Sequence, residues 1–195
     1  MTGTVYGVVL NDRAERAALA GAFAAPPYAA PPRAPVLYIK PRNTFAGSGA
    51  IVPVPGEVVI AATLALTIGA GGRPDGGRLA LDIFEPHDSY FRPAIRERCR
   101  DGFLPLGADG PVPVGAETIV TTIDGVEVHR WSLDRMERSI SALLADVGDF
   151  MTLQPGDLLL VGLAGDAPRA GAGARVEVEC DGHTPLVALL SAEAS

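Results

Sequence analysis

Lysine is almost missing from this chain: Lys40 stands alone against fifteen arginines. Cysteine is scarce too. Cys99 and Cys180 lie in no Cys-x-x-Cys pair, which excludes a disulfide framework and a cysteine-built zinc site. The three histidines, His87, His129 and His183, form no His-Glu-x-x-His helix, and no Gly-x-Ser-x-Gly elbow is present. There is no basic run, and a net charge of −7 argues against nucleic acid as a partner. Long apolar runs are missing as well. The longest covers residues 58–66, is interrupted by Thr63 and falls short of a membrane span, so no membrane partner is expected. The first residues lack the basic-then-apolar order of a secretory signal, so reduced thiols and a cytoplasmic location are expected.

What is present describes a folded domain. An apolar share of 48% with 20% charged residues suits a globular chain, and 195 residues suffice for one domain, residues 1–195, with a proper core. β-Branched alternation predicts strands over residues 4–10, 36–39, 51–55, 58–68 and 79–84. Pro55-Gly56 reads as a turn between two of them, and residues 69–77 as a glycine-rich loop without a phosphate-binding pattern. Five prolines within residues 24–35 exclude helix there. Asp124-Gly125 between residues 118–123 and 126–128 is a hairpin signal. Further strands are expected over residues 158–163, 175–180 and 186–190. Helical spacing predicts a short helix over residues 12–23, another within residues 89–100, and a longer amphipathic one over residues 131–150. The sum is a β-rich α+β domain with two principal helices, not a βαβ repeat.

Chemistry concentrates in two places. The first is Tyr38-Ile39-Lys40-Pro41-Arg42-Asn43, where the single compact ammonium sits at a strand end. The second runs from Asp82 to Gly107, where four arginines and several acids interleave with Pro93 and Gly102. An arginine fork matches a carboxylate bidentately, so a loop of this kind suits a small anion. His129 and His183 read as solvent-facing, whereas His87 lies in a polar loop among charged neighbours.

Tyr38-Ile39-Lys40-Pro41, Tyr90-Phe91-Arg92-Pro93, the run from Arg98-Cys99-Arg100-Asp101 through Gly107, and Pro155-Gly156-Asp157 follow one another in an order that resembles the fumarylacetoacetate hydrolase family. Within it they are most similar to the amino-terminal half, or subunit, of enzymes that isomerise and decarboxylate intermediates of 4-hydroxyphenylacetate breakdown. The resemblance implies a flattened, rolled mixed β-sheet. It also implies Mg²⁺ or Mn²⁺ held by a Glu-x-Glu pair and an Asp, with a 2-oxo or 2-hydroxy dicarboxylic acid as substrate and an enolate intermediate. By the same resemblance Lys40, Arg98 and Asp101 are catalytic positions, and Arg42, Asn43, Tyr90 and Arg92 face substrate. Arg98 stands where the family has lysine. Asp82 matches the third metal ligand, whereas Ala61 and Thr63 stand in place of both glutamates. Val161-Gly162-Leu163-Ala164 replaces Thr-Gly-Thr-Pro, and the hydrolytic His-Glu pair has no counterpart near Asn11-Asp12-Arg13-Ala14-Glu15.

A hard divalent cation wants about six oxygens. One Asp with one Thr hydroxyl is a poor trap, so no tightly bound metal is expected. Three readings follow: a metal-poor subunit of the isomerase/decarboxylase working beside an intact paralogue, in a homodimer or hetero-oligomer; a metal-free isomerase using Lys40 and Asp101; and a catalytically silent binding or structural subunit.

Overall fold

The computed structural model describes residues 3–87 and 92–193. In chain order the strands are β1 (Val5–Val9), β2 (Val36–Lys40), β3 (Phe45–Gly47), β4 (Ala50–Val54), β5 (Val58–Ile68), β6 (Pro74–Phe84), β7 (Leu104–Leu106), β8 (Thr118–Ile123), β9 (Val126–Ser132), β10 (Leu158–Leu160), β11 (Arg169–Ala170), β12 (Arg175–Glu179) and β13 (Leu186–Ala192). The helices are α1 (Arg13–Ala18), α2 (Ala20–Phe23), α3 (Ile95–Arg98) and α4 (Ile140–Gly148). Among the described residues no helix is long and apolar enough to cross a membrane.

The strands form two mixed sheets. The larger has the order β2-β1-β10-β5-β6-β7-β3, with β11 also paired to β5; the smaller has the order β4-β13-β12-β8-β9. Alternation along β5 and β6 decides where each side chain goes. Ile60, Leu64 and Leu66 of β5, with Leu79, Leu81 and Ile83 of β6, face the core between the sheets, where Ile119, Val176 and Trp131 meet them. Ala61, Thr63, Ala80 and Asp82 alternate with these residues and point to the opposite face of the large sheet. The fold is therefore β-rich α+β with a curled mixed sheet, as expected.

Several local expectations are corrected. There are four helices rather than two, and the longest runs only from Ile140 to Gly148. Residues 131–139 are not α-helical: β9 carries Trp131 and Ser132 as partners of Ile119 and Thr118, and only a single 3-10 turn follows at Leu133–Arg135, so cross-strand pairing overrides the apolar helical spacing. The helix expected over residues 12–23 breaks at Leu19 into α1 and α2. Pro55-Gly56 does not close a hairpin, because β4 pairs with β13 in the small sheet and β5 with β6 in the large one. β6 begins at Pro74, inside the expected loop. Ser89 to Phe91, where a helix was expected to begin, lies outside the described residues, and α3 is a single turn. The hairpin at Asp124-Gly125 is found, with both residues at positive φ (50° and 82°), the geometry of a type I′ turn.

Pro155-Gly156-Asp157 is a clamp. The Asp157 carboxylate accepts the Thr4 N–H at 2.7 Å and the Gln154 N–H at 2.8 Å, which fixes the entry of β1 beside β10.

Candidate functional site

The site grows from a gap in the large sheet. β10 pairs with residues 65–67 of β5 and β11 with residues 58–59, so the stretch around Ala61 and Thr63 faces the intervening loop instead of a strand. That loop is pinned. Val161 N–H donates to Leu64 O at 3.0 Å, and the Thr63 hydroxyl donates to Gly162 O at 2.6 Å. On its other side β5 pairs with β6, and Ala61 lies directly opposite Asp82.

Asp82 is fully buried and carries three partners. Lys40 Nζ lies 2.6 Å from Oδ1. Arg98 Nη1 donates to Oδ2 at 3.2 Å, and the Tyr38 hydroxyl donates to the same oxygen. Tyr38 and Lys40 are two residues apart on β2 and so share a face. Gly7 of β1, the register partner of Tyr38, makes the reach possible, because a Cβ there would fall within the phenol ring.

Lys40 is 1% exposed. Its Nζ also donates to the carbonyls of Arg98 (2.6 Å), Phe103 (3.1 Å) and Ile83 (3.2 Å). Burial pulls the amine below its ordinary range, and the Asp82 carboxylate opposes that pull. Every neighbour within bonding distance is an acceptor, so the geometry requires the donor-rich ammonium.

Arg98 closes the cluster. Its guanidinium lies 3.8 Å from the centroid of Phe84 and 4.9 Å from that of Tyr38, and Nε donates to His87 Nε2 at 3.2 Å. His87 thus uses Nε2 as an acceptor, the neutral-imidazole role. Arg98 and His87 open onto a cavity of about 410 Å³ that Tyr38, Cys99 and Arg92 also line. His87 further lines two adjoining hollows reaching Glu15 and the loop at Gly165.

The remaining expected positions fall as follows. Arg92 reaches the cavity wall. Tyr90 lies outside the described residues. Arg42 and Asn43 are exposed and do not line the cavity. Asp101 is not brought to it either. It sits exposed on the turn before β7, where it accepts from Asn43 Nδ2 at 2.7 Å, while the same amide donates to Cys99 O at 2.9 Å. Asn43 and Asp101 therefore act as a loop clamp. Asp101 thus lies apart from the Lys40–Asp82–Arg98 cluster, on an exposed turn that continues through Gly102 at φ 74°.

His129 is not solvent-facing: it is largely covered and contacts Asp166 at 3.1 Å. His183 is half-buried, and burial pushes its pKa down. At Asn11-Asp12 both side chains make structural contacts. Asn11 Nδ2 donates to Val161 O at 2.8 Å, and Asp12 Oδ2 accepts from Arg135 Nη2 (2.6 Å) and Gly165 N–H (3.0 Å). The sequence reading gave Tyr38 no role. Its position two residues before Lys40 on an alternating strand was the available signal.

The family model for the fumarylacetoacetate (FAA) hydrolase C-terminal region matches residues 79–190, more than half of the chain and the segment that holds Asp82 and Arg98. The chain belongs to the fumarylacetoacetate hydrolase family. The 4-hydroxyphenylacetate degradation bifunctional isomerase/decarboxylase of Salmonella dublin is 39% identical over 205 residues, covering 96% of this chain and 48% of that protein. The chain thus spans about half the length of the curated relatives it matches. Among solved structures, 5-carboxymethyl-2-hydroxymuconate delta-isomerase from Mycobacterium smegmatis superposes with a TM-score of 0.78 at 20% identity, covering 97% of this chain and 77% of that one. Fumarylpyruvate hydrolase from Pseudomonas aeruginosa, in complex with Mn²⁺ and pyruvate, superposes with a TM-score of 0.74 at 19% identity, covering 97% and 90%. At these identities the two structures support the fold.

A metal of the kind seen in that hydrolase does not fit the donors here. Among the described residues no group of three or more His, Cys, Asp or Glu side chains converges. Asp82 is already engaged by two cations, Ala61 offers a methyl, and the Thr63 hydroxyl is turned to Gly162 O.

Proposed function

We propose that this chain is a metal-poor, amino-terminal-type component of an isomerase/decarboxylase acting on a 2-hydroxy or 2-oxo dicarboxylic acid of aromatic catabolism. Substrates of the kind meant are 2-hydroxyhepta-2,4-diene-1,7-dioate for isomerisation and 5-carboxymethyl-2-oxo-hex-3-ene-1,6-dioate for decarboxylation. The observation that carries the reading is the buried Lys40–Asp82–Arg98 cluster, whose Arg98 reaches the wall of the cleft, in a chain aligned to half of a two-activity enzyme. The reading extends to the cytoplasm as location and to assembly with an intact paralogue or a second copy.

Both reactions pass through an enolate that needs positive charge near its oxygens and a proton delivered to carbon. Arg98 provides fixed charge and cannot give up its proton. Lys40 is fully used in neutralising Asp82 and keeping it in place, so it acts as a positioning residue. Among the described residues on the cavity wall, His87 is the imidazole, the side-chain type suited to moving a proton.

The purified chain is assayed on 2-hydroxyhepta-2,4-diene-1,7-dioate alone, with chelator, and mixed with a family member that keeps Glu-x-Glu. The expected result is turnover in the mixture at least about tenfold above the sum of the separate rates. Full turnover by this chain alone in chelator would overturn the dependent-subunit reading.

A further inference from the structure

We infer that the cleft has reversed polarity relative to a metal-binding family site: it takes a small dicarboxylate directly on Arg98, with no cation between them. The choice of dicarboxylate rests on the functional reading above, but binding and turnover are measured separately.

The argument begins with charge. Two cations, Lys40 and Arg98, face one carboxylate, Asp82, so among the described residues the buried cluster carries one uncompensated positive charge. Glu15 lines the adjoining hollows rather than this one, and Glu85 is engaged by Arg100 at 2.5 Å. Arg92, on the same wall, adds to the positive side. An uncompensated buried charge is costly and calls for a counter-ion, and here that ion must be an anion.

The second observation is geometric. Arg98 is 5% exposed, and its Nη2 is buried with no hydrogen-bond partner among the described residues. The other two nitrogens are committed, Nε to His87 and Nη1 to Asp82. Phe84 and Tyr38 flank the guanidinium plane, so the fork is held in one orientation at the cavity wall. A rigid guanidinium with one unused nitrogen offers a carboxylate a donor fixed in place, which a flexible ammonium would not. A divalent cation meets the opposite situation. Its one remaining carboxylate touches Lys40 Nζ at 2.6 Å, so a cation approaching Asp82 must displace an ammonium held by four acceptors.

The test is calorimetric titration of the full chain with oxalate, in EDTA and again with excess Mg²⁺ at matched free oxalate. The expected result is millimolar or tighter binding whose Kd differs by less than about twofold between the two conditions. Arg98→Met is expected to weaken binding about tenfold or more. Arg98→Lys, which keeps charge but loses the fork, gives an intermediate loss and serves if the Met variant does not fold. Binding that requires Mg²⁺, no binding at millimolar oxalate, or both variants binding like wild type would overturn the inference. Metal-independent oxalate binding with no turnover in the paralogue mixture sinks the functional reading and leaves this one standing. Turnover in the mixture without oxalate binding does the reverse.

Discussion

Lys40→Met unfolds or severely destabilises the protein. The substitution keeps the length of the side chain and removes its charge, leaving the buried Asp82 carboxylate without its counter-ion and the carbonyls of Ile83, Arg98 and Phe103 without their donor. Breaking a buried pair on one side costs about 3–5 kcal/mol, because the remaining charge stays desolvated. For a chain of this size that corresponds to a fall in Tm of roughly ten degrees or more. Urea denaturation at neutral pH measures it. Lys40→Met combined with Asp82→Asn recovers part of the loss, since the second change removes the orphaned charge. A single-variant loss under about 1 kcal/mol would mean that Lys40 does not organise the site.

Restoring the missing glutamates has the second largest effect. Ala61 is fully buried in a cluster with Val9, Leu10 and Leu163, and Thr63 is fully buried with its hydroxyl on Gly162 O. Ala61→Glu with Thr63→Glu adds bulk and two carboxylates to this face, at a cost above about 3 kcal/mol in chelator. The new pair, one member opposite Asp82 and the other opposite Ala80 on the same face, completes a three-carboxylate set, so Mg²⁺ is expected to raise the Tm of the double variant by several degrees. Wild type is expected to show no Mg²⁺ response. Thr63→Glu alone serves where the double variant fails to fold. An equal Mg²⁺ response from wild type and double variant would contradict the account.

The sequence made the strands legible where side chains alternate and turn residues mark the ends. β5 reads directly from residues 58–68, and the β8–β9 hairpin from Asp124-Gly125. It misled where pairing across the chain outweighed local spacing. Leu133 and Met136 fit a helical stripe beginning near Trp131, but Trp131 is committed to Ile119 across the hairpin. The glycines before Leu79 read as loop. Gly76 and Gly77 lie in β6, where the lack of a Cβ at Gly77 lets Pro111 and Pro113 approach.

At the site, Lys40, Asp82 and Arg98 were legible as residues, and the fold supplied their meeting. Asp101 was named from its place in a motif, and three residues beyond Arg98 it faces solvent. Tyr38 and His87 gained roles only from three-dimensional neighbours. Nothing local in residues 84–87 announces that His87 Nε2 will meet the Arg98 side chain eleven positions later.

The central claim is that Asp82 is neutralised from within, so the cleft is positive rather than metal-seeking. Calorimetric titration of the chelator-treated chain with Mn²⁺ tests it most directly, with Asp82→Asn as the companion sample. The account predicts no saturable heat below millimolar Mn²⁺ for either protein. One-to-one binding at micromolar Mn²⁺ that disappears in Asp82→Asn would contradict it.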